Sequence, residues 1–159
     1  ALGGEPEITM AVYDQATDLW MLARPDQVSF SGMLSDYKKV SARGGNFDYR
    51  LCDRRCTEHG YYMQMAFAAT CFERLTGNWP NQVGLVYQCD SPPYFSILRE
   101  VDEETLRLGE YRNTRAMARF RECLDSGHWP GPGEDIGAYQ MPEWLYTRLL
   151  EDQNITEAE

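Results

Sequence analysis

The chain has no run of apolar residues approaching the roughly 20 that a bilayer-spanning helix needs, and its first residues lack the basic-then-apolar pattern of a secretory leader. These absences favour a cytoplasmic protein with no membrane partner. Cysteine is scarce and odd in number: Cys52, Cys56, Cys71, Cys89 and Cys123 form no disulfide framework and are expected as reduced, mostly buried thiols. Cys52-x₃-Cys56 has no second close pair after it, which argues against a zinc or iron–sulfur site. The only histidines are His59 and His128, and His59 reads as a structural or surface residue. Positive charge is also short. Fifteen Lys and Arg face 25 Asp and Glu, for a net charge of −10, which argues against a general nucleic-acid-binding protein.

What remains is the composition of an ordinary folded domain, 43% hydrophobic and 13% aromatic over 159 residues, enough for a core without staples. One domain is expected over residues 1–153, with a polar tail at 154–159. The first residue is Ala rather than Met, which suggests a processed or excised piece. The charge is unevenly spread. Glu5, Glu7, Asp14, Asp18, Asp26 and Asp36 stand against Arg24 alone in residues 1–37. Lys38, Lys39, Arg43, Arg50, Arg54 and Arg55 then stand against Asp48 and Asp53 in residues 38–55. An acidic segment able to hold metal ions is thus followed by a basic one able to hold phosphates, with Lys39, Arg43 and Arg54 as candidate backbone contacts.

Ile8–Tyr13 and Leu19–Ala23 are β-favouring runs split by turn residues and predict a hairpin. Val28–Phe30 and Gly32–Val40 continue the sheet, and 41–48 is a Gly-rich loop. From Asp53 to Leu75 the apolar residues fall at helical spacing, with Tyr61, Met65, Ala68, Phe72 and Leu75 on one side and Gly77 as the stop. Gln82–Cys89 and Tyr94–Val101 read as strands. Asp102–Asp125 reads as a helix with an Asp N-cap, burying Leu106, Tyr111, Met117, Phe120 and Leu124. Met141–Asp152 is a short terminal helix with Pro142 at its start. The order predicts an α/β fold, a mixed central sheet flanked by helices.

The chemistry-bearing pattern is Arg24-Pro25-Asp26 followed by Asp36-Tyr37-Lys38. Side chains alternate along a strand, so Asp36 and Lys38 share a face. If residues 19–27 and 33–40 are neighbouring strands joined by Gln27–Gly32, Asp26 returns beside Asp36. Two carboxylates and an ammonium then converge, the set that metal-assisted phosphodiester hydrolysis needs: hard oxygen ligands for Mg²⁺ and a cation for the water or the developing charge.

With these residues in order, the chain resembles the exonuclease VIII (RecE-type) nuclease domain of phage and prophage recombination systems, within the PD-(D/E)xK superfamily. Glu7, Arg24-Pro25-Asp26, Leu34-Ser35-Asp36-Tyr37-Lys38, Tyr61-Tyr62-Met63-Gln64, Trp129-Pro130-Gly131 and Met141-Pro142-Glu143-Trp144 carry the resemblance. It implies a restriction-endonuclease-like α/β core. It also implies Mg²⁺ or Mn²⁺ held by Asp26, Asp36 and the Tyr37 backbone carbonyl, with Glu7 in support. Lys38 would orient the water or stabilise the transition state, Gln64 would hold Lys38 or that water, and Tyr61 would contact the substrate strand. The implied substrate is linear double-stranded DNA, degraded 5′ to 3′ to leave a 3′ tail for a RecT-type single-strand annealing partner, often by a homo-oligomeric ring. The family's N-terminal helical portion, with its His metal ligand, is absent from this sequence, and Ala68 stands where relatives often have Tyr. Two other readings stay open: another PD-(D/E)xK nuclease of RecB-like or CRISPR-adaptation type, and a catalytically inactive DNA-binding or assembly module of the same fold.

Overall fold

A computed structural model describes residues 3–42, 44–134 and 138–156, with side chains as far as residue 150. Residues Ala1–Ser126 form one compact unit and Gly127–Glu159 a second.

The first unit is built on a five-stranded mixed sheet of order β1-β4-β5-β6-β7. Its strands are β1 (Gly4–Pro6), β4 (Gln27–Ser29), β5 (Met33–Val40), β6 (Gln82–Cys89) and β7 (Ser96–Glu100). Strands β5 and β6 run parallel over their whole length, Met33 opposite Gln82 through Val40 opposite Cys89, while the other pairs are antiparallel. Strand β6 is close to a continuous buried run, as a central strand in a parallel pair should be. The helices are α1 (Tyr49–His59), α2 (Tyr61–Thr76) and α3 (Glu103–Ser126). Among the described residues Tyr87, Leu34, Met65, Leu85, Pro25, Cys52 and Cys71 are its largest fully buried side chains. The α/β class expected from the sequence is the one observed.

Several local expectations need correction. Strands β2 (Met10–Asp14) and β3 (Leu19–Ala23) pair as foreseen, but they form a separate two-stranded sheet lying against α2. Residues 19–27 therefore do not make the strand beside 33–40; the short β4 does. The single helix expected from Asp53 to Leu75 is two helices, because Gly60 adopts φ 66° and caps α1 where α2 begins. Gly77, at φ 75°, ends α2 as expected. Leu75 is exposed, as are Tyr111, Phe120 and Leu124 of α3; Leu106 is buried and Met117 packs partly buried against the core as expected, and Gly109 and Cys123 are buried besides.

Close approach explains Gly109. A Cβ there would lie 2.8 Å from that of Ala66 and 3.0 Å from the Tyr62 carbonyl oxygen, so only glycine lets α3 sit this near α2. Asn113, one turn on, donates to the Met63 carbonyl at 2.8 Å. All five cysteines are free. Burial pushes the Cys52 and Cys71 thiols up to about 11, which leaves both un-ionised at neutral pH.

In the second unit, α4 (Glu143–Thr156) follows Pro142, whose carbonyl accepts from Leu145 and Tyr146. It runs past Asp152, where the sequence reading ended it, and into the tail expected at 154–159. His128 pairs with Glu134 at 2.9 Å. Among the described residues no helix is long and apolar enough to cross a membrane.

Candidate active site

The parallel β5–β6 pair supplies a rigid floor, and alternation along β5 sends Leu34, Asp36, Lys38 and Val40 toward α2. Asp36 and Lys38 occupy the middle of this row, against the first turn of α2. Their side chains are 5% and 13% accessible and form a direct ion pair. Gln64, one turn into α2, joins both. Its amide nitrogen donates to Asp36 Oδ1 at 3.0 Å, and its carbonyl oxygen accepts from Lys38 Nζ at 2.8 Å. The Lys38 ammonium also lies 4.3 Å from the centre of the Tyr61 ring.

Asp26 arrives by a different route from the one foreseen, yet at the place foreseen. Pairing of Gln27 with Ser35 and Val28 with Leu34 makes Asp26, one residue before β4, the next neighbour of Asp36. Pro25 is fully buried before it, and the Asp26 carbonyl accepts from the Glu7 amide at 3.1 Å. Both contacts pin the backbone on which Asp26 stands. Its Oδ2 accepts from the Tyr37 amide at 2.6 Å. In a strand the N–H and C=O of one residue point to the same edge, so the Tyr37 carbonyl points to that edge too, past the end of β4.

Burial pushes the Asp36 carboxyl above its ordinary value; the Lys38 ammonium and the Gln64 amide oppose the rise, and the Asp26 charge adds to it. Two carboxylates against one ammonium leave the cluster net negative, an arrangement that favours a hard dication over a bare pair of anions. The donors present fit such an ion: an exposed Asp26 with one oxygen uncommitted, Asp36, and a backbone carbonyl, the remaining positions being suited to water. Among the described residues no group of three or more His, Cys, Asp and Glu side chains gathers. Glu7 explains why. Its backbone is tied to Asp26, at φ 49°, but its carboxylate turns to Arg24 at 3.9 Å.

A cavity of about 310 Å³ opens beside Asp36 and Gln64, lined also by Leu22, Pro25, Ala68 and Asn113. Asn113 was not singled out from the sequence; the available signal was a polar residue four positions after Gly109 on the stripe that faces α2. The structure brings together Asp26, Asp36, Lys38, Gln64 and Tyr61, but not every predicted residue. Lys39 alternates to the opposite face of β5 from Lys38. Arg54 is exposed on α1 and lies 3.8 Å from Glu58. Arg43 lies outside the described residues.

No protein-family model matches the sequence, and no curated protein matches it significantly. Among solved structures, the fold is similar to that of a protein from Eubacterium rectale provisionally assigned as an exonuclease, with a TM-score of 0.66 at 13% sequence identity. The match covers 89% of this chain and 55% of that one, so this chain spans about half the length of the protein it resembles. At that identity the likeness establishes the fold alone, a mixed sheet with flanking helices.

Proposed function

We propose that the chain is a metal-dependent deoxyribonuclease that hydrolyses the phosphodiester bonds of linear duplex DNA from its ends. The observation that carries this reading is the cluster in which Gln64 bridges Asp36 and Lys38 beside Asp26. The exonuclease assignment of the Eubacterium rectale protein supports it.

Asp26, Asp36 and the Tyr37 carbonyl would hold Mg²⁺ or Mn²⁺, with Glu7 in support through the hydrogen bond from its amide to the Asp26 carbonyl. When bound, the ion supplies a water ionised near neutral pH and charge neutralisation at the phosphate. The residues do the rest. Lys38 presents an ammonium, fixed on two sides by hydrogen-bond acceptors, to the charge that develops on the phosphoryl oxygens. Gln64 keeps that ammonium and the Asp36 carboxylate in one geometry, and a positioned group of this kind lowers the barrier without reorganising during the reaction. The finer reading is 5′ to 3′ degradation in the cytoplasm, leaving a 3′ tail for a single-strand annealing partner, with a homo-oligomeric ring around the duplex.

Digestion of 5′-labelled linear duplex beside a closed circular control, with Mg²⁺, Mn²⁺ or EDTA, tests the proposal. Metal-dependent loss of the linear substrate alone, abolished in Lys38→Ala, is the expected result. Equal cutting of the circle would reassign the site to an endonuclease. Absence of cleavage with either metal would overturn the enzymatic reading.

A further inference from the structure

We infer that Tyr61 is a positioning residue for Lys38, holding its ammonium through the face of the aromatic ring, in place of the contact to the substrate strand that the family resemblance implies. The inference rests on reading Asp26, Asp36 and Lys38 as the hydrolytic cluster.

The geometry is specific. Lysine ends in a point charge on a flexible four-carbon stem, and a neighbouring carboxylate draws it into close contact. Asp36 is two residues away on the same strand face and takes that contact. Two groups from α2 pull the ammonium outward from it: the Gln64 carbonyl oxygen at 2.8 Å, and the negative face of the Tyr61 ring at 4.3 Å. The Lys38 side chain is 13% accessible, so the attraction to the ring acts in a largely desolvated place, where it is strongest.

The ring is itself held from two directions. Tyr87 stands directly opposite Lys38 in the β5–β6 register, is fully buried, and meets Tyr61 with ring centres 6.4 Å apart at 47°. His59 stacks on Tyr61 at 5.2 Å and 27°. Gly60 lies between His59 and Tyr61, and its left-handed backbone ends one helix and begins the next, making Tyr61 the first residue of α2.

The sequence makes the test practical, because Lys38 and Lys39 are the only lysines in the chain. Protein labelled with ¹³C at the lysine ε-carbon gives two signals, which Lys39→Arg assigns. The Lys38 ε-protons should be shifted upfield by the Tyr61 ring current, the shift surviving in Tyr61→Phe and vanishing in Tyr61→Leu. In the nuclease assay, Tyr61→Leu should lower kcat roughly 10- to 100-fold, the usual cost of an outer-shell partner, with KM little changed and Tyr61→Phe close to wild type. A Lys38 signal with no upfield shift, or one indifferent to Tyr61→Leu, overturns the inference whatever the activity. An effect on KM alone overturns it in favour of a substrate contact. A wild-type protein with the ring-current shift and no nuclease activity would instead strike the hydrolytic reading and leave the Tyr61–Lys38 contact standing.

Discussion

Arg74 donates to the Asp14 carboxylate at 2.8 Å and so fastens the β2–β3 hairpin to α2. Thr17 completes the carboxylate's shell through its amide at 3.0 Å and its hydroxyl at 2.6 Å. Because β3 leads straight into Arg24-Pro25-Asp26, this joint helps set where the Asp26 carboxylate stands.

Asp14→Asn should therefore cost about 1.5–3 kcal/mol of stability at pH 7, the range for hydrogen bonds to a charged group. The Thr17 hydrogen bonds first, and Arg74 next, hold the Asp14 carboxyl below its ordinary value. A depressed carboxyl stabilises the folded state above the unfolded-state value and loses that contribution as the pH falls through the folded one. The wild-type advantage over Asp14→Asn should thus be full at pH 7 and shrink as acid enters the carboxylate range. Urea unfolding at pH 7, 5 and 3 measures it, and an advantage constant with pH would contradict it.

Asp36→Ala and Lys38→Ala should each reduce DNA hydrolysis by at least about 10²–10³, the cost of deleting one preorganised electrostatic group. Both should keep the far-ultraviolet circular dichroism of the parent, since β5 remains paired along its length with β6. Turnover near wild type in a well-folded variant would remove these residues from the chemistry.

Gln64→Ala should cost about 10- to 100-fold, as loss of a group that orients a ligand usually does. Gln64→Glu should be no better, although it keeps the length. The amide donates at one end and accepts at the other, whereas a carboxylate can only accept and would stand against Asp36. A kinetic comparison of the two variants separates lost volume from lost polarity.

Mg²⁺ should raise the thermal unfolding midpoint of the wild type and not that of Asp36→Ala. An ion that binds only the folded state adds about 2.7 kcal/mol at a hundred times its Kd. Scanning calorimetry with Mg²⁺ or EDTA reads the difference without any substrate, and an equal response in both proteins would place the ion elsewhere.

Gly109→Ala should destabilise by about 1–3 kcal/mol, as overpacking does, because its new Cβ meets Ala66 and the Tyr62 carbonyl. Gly77→Ala meets nothing within 4 Å and pays only for its φ of 75°, about 1–2 kcal/mol. Chemical denaturation of the pair distinguishes crowding from backbone strain.

The parts of this fold legible in the sequence were those with a local physical signature. Gln82–Cys89 announced itself by an apolar run between turn residues, and it is β6 to the residue. Asp102 caps α3 through the Thr105 amide at 2.8 Å, as its position before acidic residues suggested. Asp36, Lys38 and Gln64 do meet, because strand alternation and one helical turn suffice to aim them. Strand partnership was not legible, since a period of two marks a strand without naming its neighbour; hence the hairpin that left the main sheet. Strand β1 carries Glu5 and Pro6 at an edge and has no apolar pattern to betray it. Gly60 hid inside a helical spacing that continues on both sides of it. The Asp14–Arg74 link spans 60 positions, and no local spacing encodes it.

The one-residue joint at Gly60 has a consequence for how this chain can vary. Successive residues of a helix are turned about 100° around its axis. A single residue inserted between Tyr61 and Gln64 would swing Tyr61 away from Lys38 while Gln64 stayed in place, so the two grips on the ammonium could not both survive. A residue added within 44–48, which lies outside every helix and strand, should by contrast leave the side chains of the site in place. The α1–α2 corner is a fixed gauge, tolerant of side-chain exchange on its outer surface and intolerant of even one added residue.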